Sequence, residues 1–331
     1  MNTDFQTINT AFARVFQSGQ LSLGVVVPIE NYSASPVPTM QDHVARVQLA
    51  EKLGFAAVWL RDVPFNVPSF GDAGQVFDPF VYLGYLAAST SRIGLGMASA
   101  VLPLRHPAHV AKAAASADVL SNGRVLLGIA SGDRPDEYPA MNLDYATRGA
   151  RFRDSVAYLQ QSWQPHPRIA SPFGQTDGAM DLLPKPIAGR LPLLVTGSSQ
   201  QSDDWIAQNA DAWMTYPRNP AAQCAVINHM RAKVQDLGRP ALPIMQPLYI
   251  DLVGNDHQTP TPIHLGLRIG AAQLVDHLLT LREVGVNHVA LNLRFNQANV
   301  EDTLKRLADE VLPQLSASAD LPNTHYHTGT L

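Results

Sequence analysis

The chain has 331 residues, 46% of them hydrophobic, with 24 Lys and Arg against 28 Asp and Glu and a formal net charge of −4. That balance, without a basic run, gives no electrostatic footprint for nucleic acid, and charges or prolines interrupt every apolar stretch before the roughly 20 residues needed to span a bilayer. The lone cysteine, Cys224, cannot bridge within the chain, and Asp4 breaks any signal-peptide pattern at the N-terminus; a cytoplasmic location is expected.

Phe5, Ile8, Phe12, Val15 and Phe16 recur at helical spacing. They predict a short amphipathic helix over residues 4–17, within an N-terminal extension (1–20) packed on the outside or bottom of the body. From residue 21, short β-branched or apolar runs alternate with longer helical patterns. Strands are predicted at 21–29, 56–62, 92–98, 125–130, 193–196, 212–216, 244–253 and 286–293. The helices between them are predicted at 39–53, from 79, 107–120, 148–163, 199–209, 219–237, 270–284 and 299–312. Thr39 reads as an N-cap and Gly54 as a stop tolerant of positive φ, while Asp78-Pro79 starts a helix with Pro at its first position.

Eight strand–helix units imply right-handed crossovers and a parallel sheet closed on itself. The expected fold is α/β, a single (β/α)8 TIM barrel over 21–315, followed by a polar tail over 316–331. An open doubly wound sheet would place a Gly-rich phosphate fingerprint after the first strand, but that turn reads Val27-Pro28-Ile29-Glu30-Asn31. The connections 63–77, 131–147 and 254–268 are long, as is 164–190 before strand five. Insertions after strand C-termini fall on the catalytic face, where they wall or cover a pocket.

Thr196-Gly197-Ser198-Ser199-Gln200-Gln201 leads from strand five into a helix. Backbone N–H groups, a glycine and serine hydroxyls there suit a phosphate, or the serines simply cap the helix. At the end of strand three, Ala98-Ser99-Ala100 offers a ledge of small residues for a flat ring, or ordinary packing. Arg61 and Asp62 end strand two beside Trp59; they are catalytic candidates, or they pair with each other. Ser131-Gly132-Asp133-Arg134 follows strand four, with Gly132 supplying an unusual backbone angle. Arg148 opens a helix, where its charge opposes the helix dipole; it serves a ligand phosphate or pairs with Asp144. Tyr216, Arg218 and Arg294 end strands six and eight, lining or rimming a substrate pocket. His106 and His109 lack a carboxylate-rich setting, so no metal site is expected, and Cys224 reads as a buried small hydrophobe inside a helix.

These pieces resemble the luciferase-like monooxygenases over residues 21–315. The likeness rests on Val101-Leu102-Pro103-Leu104-Arg105-His106-Pro107, on Leu120-Ser121-Asn122-Gly123-Arg124-Val125-Leu126-Leu127-Gly128-Ile129, on Leu182-Leu183-Pro184-Lys185-Pro186, and on the Gly197-Ser198-Ser199 loop, in that order. Phe12-Ala13-Arg14-Val15-Phe16 and Asn287-His288-Val289-Ala290-Leu291-Asn292-Leu293-Arg294 look like one branch of luciferase-type oxidoreductases with poorly defined substrates.

The resemblance implies FMN, or in some members a deazaflavin, at the strand C-termini. It places the phosphate on Gly197, Ser198 and Ser199, with Arg148 near the phosphate or ribityl chain. A bulge under the ring, often with a non-prolyl cis peptide, falls at Ala98–Ser99, and Ser131 lies beside the cofactor. The chain departs from bacterial luciferase in two places. Arg61-Asp62-Val63-Pro64 replaces an acidic-His-His run, and Ala130 replaces a reactive cysteine, which puts light emission in doubt and leaves Asp62 as the first choice for acid–base work. The implied activity is oxidation of a small organic molecule by reduced FMN and oxygen, with a flavin reductase as partner and a homodimer as the assembly. Deazaflavin-dependent hydride transfer and a non-enzymatic flavin-binding protein are the alternatives.

Overall fold

The computed structural model describes residues 5–316; the tail expected at 316–331 lies essentially outside them. Eight parallel strands close on themselves: β1 (Ser22–Val26), β2 (Ala57–Leu60), β3 (Gly94–Met97), β4 (Val125–Ala130), β5 (Leu193–Thr196), β6 (Ala212–Met214), β7 (Ile244–Leu252) and β8 (His288–Asn292). Each pairs with the next, and β8 returns to β1 with Leu23 opposite Val289. The barrel expected from the alternating pattern is therefore present.

The helices of the barrel body are α2 (His43–Leu53), α3 (Pro79–Ser89), α4 (Pro107–Leu120), α5 (Arg148–Ser162), α6 (Asp203–Asn209), α7 (Pro220–Asp236), α8 (Ala271–Glu283) and α9 (Val300–Arg306), after an N-terminal α1 (Thr10–Val15). Local signals placed several ends. Asp78 Oδ1 accepts from the Phe80 and Val81 amides at 2.9 and 3.1 Å, with Pro79 at the first helical position, and Gly54 closes α2 at φ 93°. Other ends moved. Thr39 is not a cap; its amide and hydroxyl bind the buried Glu30 carboxylate at 2.6 and 3.1 Å, and α2 begins four residues later. The last helix gives way to a π-helical turn at Leu307–Val311. The long connections 164–190 and 254–268 carry hairpins, Arg168–Ser171 with Gly174–Asp177 and Thr261–Ile263 with Gly266–Ile269. No helix among the described residues is long and apolar enough to cross a membrane.

Side chains alternate across each strand, and the two faces build two separate cores. Val58, Leu60, Leu127, Ile129, Val289 and Leu291 face the helices. Val26, Trp59, Leu126, Leu194, Met214, Met245 and Ala290 fill the lumen together with Phe12, Val15 and Phe16 of α1. The N-terminal helix is thus a plug in the bottom of the barrel. It is shorter than the 4–17 expected because Asn9 caps it, accepting from the Phe12 amide at 2.9 Å, and Phe16 turns extended.

Trp59 was expected at a substrate pocket; it is instead wholly buried in the lumen. Its indole occupies space left by two glycines on neighbouring strands: a Cβ on Gly96 would lie 2.3 Å from the ring, and one on Gly24 2.8 Å from its nitrogen. The indole N–H donates to His288 Nε2 at 2.8 Å. That leaves Nδ1 to donate to Ser22 Oγ at 2.7 Å, and Ser22 Oγ to donate to the Val15 carbonyl at 2.7 Å. Burial pushes His288 down to about 3, so the chain of bonds tying α1 to the barrel runs through a neutral imidazole.

Candidate active site at the C-terminal mouth of the barrel

Above the apolar lumen, the inward-facing positions change character. The same alternation that buries Trp59 inward puts Arg61 inward one step higher, and Asp62 outward. Ala98 and Thr196 share the inward parity on β3 and β5, as do Tyr249 on β7 and Arg294 just past β8.

The floor is built from small groups. The Ala98–Ser99 peptide is cis, and the Ala98 amide donates to the Leu60 carbonyl at 2.5 Å. Ser99 Oγ and Thr196 Oγ1 hydrogen-bond across the mouth, 3.7 and 3.2 Å from the Met214 sulfur beneath them. The strand beside this turn must come close: a Cβ on Gly128 would sit 1.9 Å from the Met97 carbonyl oxygen. Past the turn, Ala100 and Val101 rejoin the sheet against Ile129 and Ala130.

Asp62, the expected acid–base group, faces away from the lumen and has both oxygens engaged. Arg105 Nε and Nη2 each donate to it at 2.8 Å, and the Val101 amide donates at 3.1 Å. Its side chain is 1% exposed. It does not pair with Arg61, as one sequence reading had it; it fastens the turn that forms the floor. Breaking one side of a buried ion pair costs about 3 kcal/mol. Asp62→Asn is therefore expected to lower the melting temperature by roughly 6 °C for a domain of this size. A variant that melts like the parent would show that this pair does not hold the turn.

The loop after β5 makes a compact turn with three left-handed residues, Gly197 (φ 54°), Ser199 (φ 46°) and Gln200 (φ 61°). It does not run straight into a helix, as expected: α6 starts at Asp203, capped by Ser202, whose Oγ accepts from the Trp205 amide at 3.2 Å. The loop closes on itself through Gln201 N to Ser198 O at 2.8 Å and Ser199 Oγ to Thr196 O at 2.8 Å. Ser198 is exposed and its Oγ accepts from the Gln200 amide at 3.4 Å, while the Gly197 amide donates to the Met214 carbonyl at 2.8 Å. The first turn of α5 packs on this loop: Gln201 Nε2 donates to the Gly149 carbonyl at 2.8 Å, and a Cβ on Gly149 would meet Gln200 at 2.8 Å.

Next to Gly149, Arg148 lies 3.7 Å over the Tyr145 ring and donates Nη1 to the Tyr145 carbonyl at 2.9 Å. Its Nε is buried without a partner. The pair with Asp144 does not form; the Asp144 carboxylate caps Ala146 instead. Ser131 is buried, and its carbonyl accepts from the Tyr138 hydroxyl. Gly132 (φ 79°) is needed there, because a Cβ would lie 2.7 Å from Val101 and 2.9 Å from the Tyr138 oxygen.

Tyr216 and Arg218 are exposed and lie to the outside of this loop. With Ser198, Thr215, Asp203 and His229 they line a cleft of about 610 Å³ between α6 and α7. Asp203 is paired with His229 at 3.2 Å, so Arg218 is the cation that cleft offers. Cys224, on α7, is half-buried rather than buried.

The sequence reading missed a carboxyl and several of its neighbours. Glu137 is 2% exposed, and its Oε1 has no partner. Burial, with Asp62 and Asp133 nearby, pushes it up to about 7 against the opposing pull of Arg134 and a bond from the Phe65 amide. Arg61 and Arg294 reach the mouth as expected, but both bind Asp72, on the long loop after β2, at 2.8 and 2.9 Å. Arg105 and Asp62 each stand in a stretch that the resemblance rests on or departs from, but nothing in the chain order joins them. No signal in the sequence paired residues 72, 134 and 137 with strand ends far away in the chain.

The profile of the luciferase-like monooxygenases matches residues 21–252, well over half of the chain. The chain belongs to this family. A flavin-dependent trigonelline monooxygenase oxygenase component from Acinetobacter baylyi is 27% identical over 213 residues, which are 61% of this chain and 57% of that protein. An F420-dependent hydroxymycolic acid dehydrogenase from Mycobacterium tuberculosis is 31% identical over 201 residues, 57% and 53% of the two chains. The chain thus matches a little over half the length of these two relatives. Among solved structures, the monooxygenase RslO1 from Streptomyces bottropensis superposes with a TM-score of 0.75 over 88% of this chain and 99% of that one, at 17% identity, a likeness of fold. This luciferase-like chain is accordingly an oxidoreductase of a family whose relatives include a flavin-dependent monooxygenase and an F420-dependent dehydrogenase.

Proposed function

We propose that this luciferase-like protein is the oxygenase of an FMN-dependent monooxygenation acting on a small organic substrate with reduced flavin and oxygen. One observation carries the reading. The Gly197-Ser198-Ser199 turn, left-handed at Gly197 and Ser199 and exposed at Ser198, adjoins the first turn of α5, where Arg148 keeps a buried, unpartnered N–H. Buried donors without acceptors are costly and rare, and an anionic oxygen beside them removes that cost.

In this reading Ser198, Ser199 and Arg148 hold the phosphate, and Ala98 and Ser99 support the ring; Ser131 borders it. The bound flavin supplies the redox chemistry. The chain itself orients the two reactants, excludes water through its long mouth loops, and provides a proton site. Glu137 takes that last role in place of Asp62, since it has a free oxygen and titrates near neutrality. A separate flavin reductase, a homodimeric assembly and a cytoplasmic setting complete the proposal.

Hydride transfer with a deazaflavin is the second reading, favoured by the dehydrogenase relative. The cleft outside the phosphate loop argues against it: an acidic cofactor tail would meet one guanidinium, Arg218, with Asp203 across from it. An anaerobic titration with oxidised FMN, reduced FMN and deazaflavin separates the two. Tightest binding of reduced FMN is expected. Preference for deazaflavin would move the assignment to hydride transfer, and binding of none of them would refute both.

A further inference from the structure

We propose that Arg61, Arg134 and Arg294 form a recognition site for a carboxylate of the substrate, sealed by the Asp72 loop. The inference rests on the active-site reading above for its location, and on the following contacts for its chemistry.

Arg61 and Arg294 stand on the lumen side of the mouth, directly above β2 and β8, so rigid strands fix both. Arg61 grips the Asp72 carboxylate with two nitrogens, Nη1 to Oδ2 at 2.8 Å and Nη2 to Oδ1 at 3.0 Å. Arg294 reaches the same Oδ2 at 2.9 Å and donates to the Gly71 carbonyl at 2.7 Å. Arg134 arrives from the connection after β4, 6% exposed, and donates to the Asp72 backbone carbonyl at 2.8 Å.

The charges do not balance. Three guanidiniums meet here, and among the described residues Asp72 is the one acid within 4.0 Å of any of them. Asp133, nearby, is exposed, and Glu137 is largely uncharged below neutral pH. Hydrogen bonds are also missing: Arg61 Nε, Arg134 Nη1 and Arg294 Nε are buried and have no acceptor. Uncompensated buried charge is expensive, and guanidinium forks match carboxylates in geometry. Asp72 demonstrates that match from within the chain, and the donors left over suit a second carboxylate. Aromatic rings flank the site. Arg294 lies 4.8 Å from the Tyr32 ring and 5.4 Å from Phe295, and Arg134 lies 4.0 Å from Phe70. A flat organic acid has surfaces to rest on there.

The test titrates FMN-loaded protein with sodium benzoate, acetate and the neutral isostere benzamide at constant ionic strength. Flavin absorbance and the melting temperature are read in parallel. Benzoate is expected to perturb both and benzamide neither. Arg134→Gln and Arg294→Gln are each expected to weaken benzoate at least tenfold with FMN affinity held within twofold, and Arg134→Lys to recover part of the loss. Equal effects of benzoate and benzamide, no effect of any carboxylate, or benzoate binding untouched by both glutamine variants would overturn the proposal. So would loss of FMN in those variants, which would assign the arginines to the cofactor. If the parent protein binds no flavin, the flavin reading fails alone, and melting of the cofactor-free protein with benzoate still decides this one.

Discussion

Ser198→Asp is expected to weaken FMN binding by more than a hundredfold. Ser198 is exposed on the left-handed turn proposed to hold the phosphate, so a carboxylate there would face that phosphate directly. Two unit charges 4 Å apart repel by about 1 kcal/mol in water and about 4 kcal/mol near a protein surface. Taking about 3 kcal/mol for a partly solvated loop against a phosphate gives a little over two orders of magnitude. Ser198→Ala removes one hydrogen bond to a charged group and is expected to cost roughly tenfold. The ordering of the two variants, read by flavin fluorescence quenching, separates charge from simple loss of contact. Parent-like affinity in the aspartate variant would mean that the phosphate lies elsewhere.

Glu137→Gln is expected to lower turnover at pH 7 by about 10² to 10⁴-fold, the range that a positioned proton-transfer group contributes. The parent's rate profile should carry a limb near pH 7 that the variant lacks. Stability should move the opposite way. Burial raises Glu137 to about 7 from an ordinary 4.5, so the folded state holds the proton more tightly than the unfolded chain does. Its stabilising contribution is fully present below about pH 4.5 and is lost as pH rises through 7. Glutamine imitates the protonated form. The variant should therefore match the parent in acid and melt higher than the parent above pH 7. A variant that keeps the parent's rate and the parent's pH limb would remove Glu137 from the reaction, whatever its melting curve shows.

The barrel was legible because its signals are local. Pro107 and Leu120 bound a helix as expected, Val125–Ala130 is a strand end to end, and Asp78-Pro79 and Gly54 punctuate where their backbone preferences require. The phosphate-loop and floor candidates were legible too, since each is a contiguous run: Gly197-Ser198-Ser199 and Ala98-Ser99.

What failed was everything that needed two distant segments at once. Trp59 looked like a pocket residue until Gly24 and Gly96, from the strands on either side, were seen to make room for its indole in the lumen. Arg61 and Asp62 looked like a pair because they are adjacent. Strand alternation points them to opposite faces, one toward Asp72 and the other toward Arg105. Glu137 carried no motif, and its titration near neutrality follows from the surface that the folded loops remove from water. The sequence by itself determined the strand–helix order, the barrel and the place of the Gly-Ser-Ser turn after β5, because backbone preference and hydrophobic period act over a few residues. The tertiary structure decided which charges are spent on one another and which remain for a ligand, because Coulomb energy and desolvation depend on distances through space that chain order does not record.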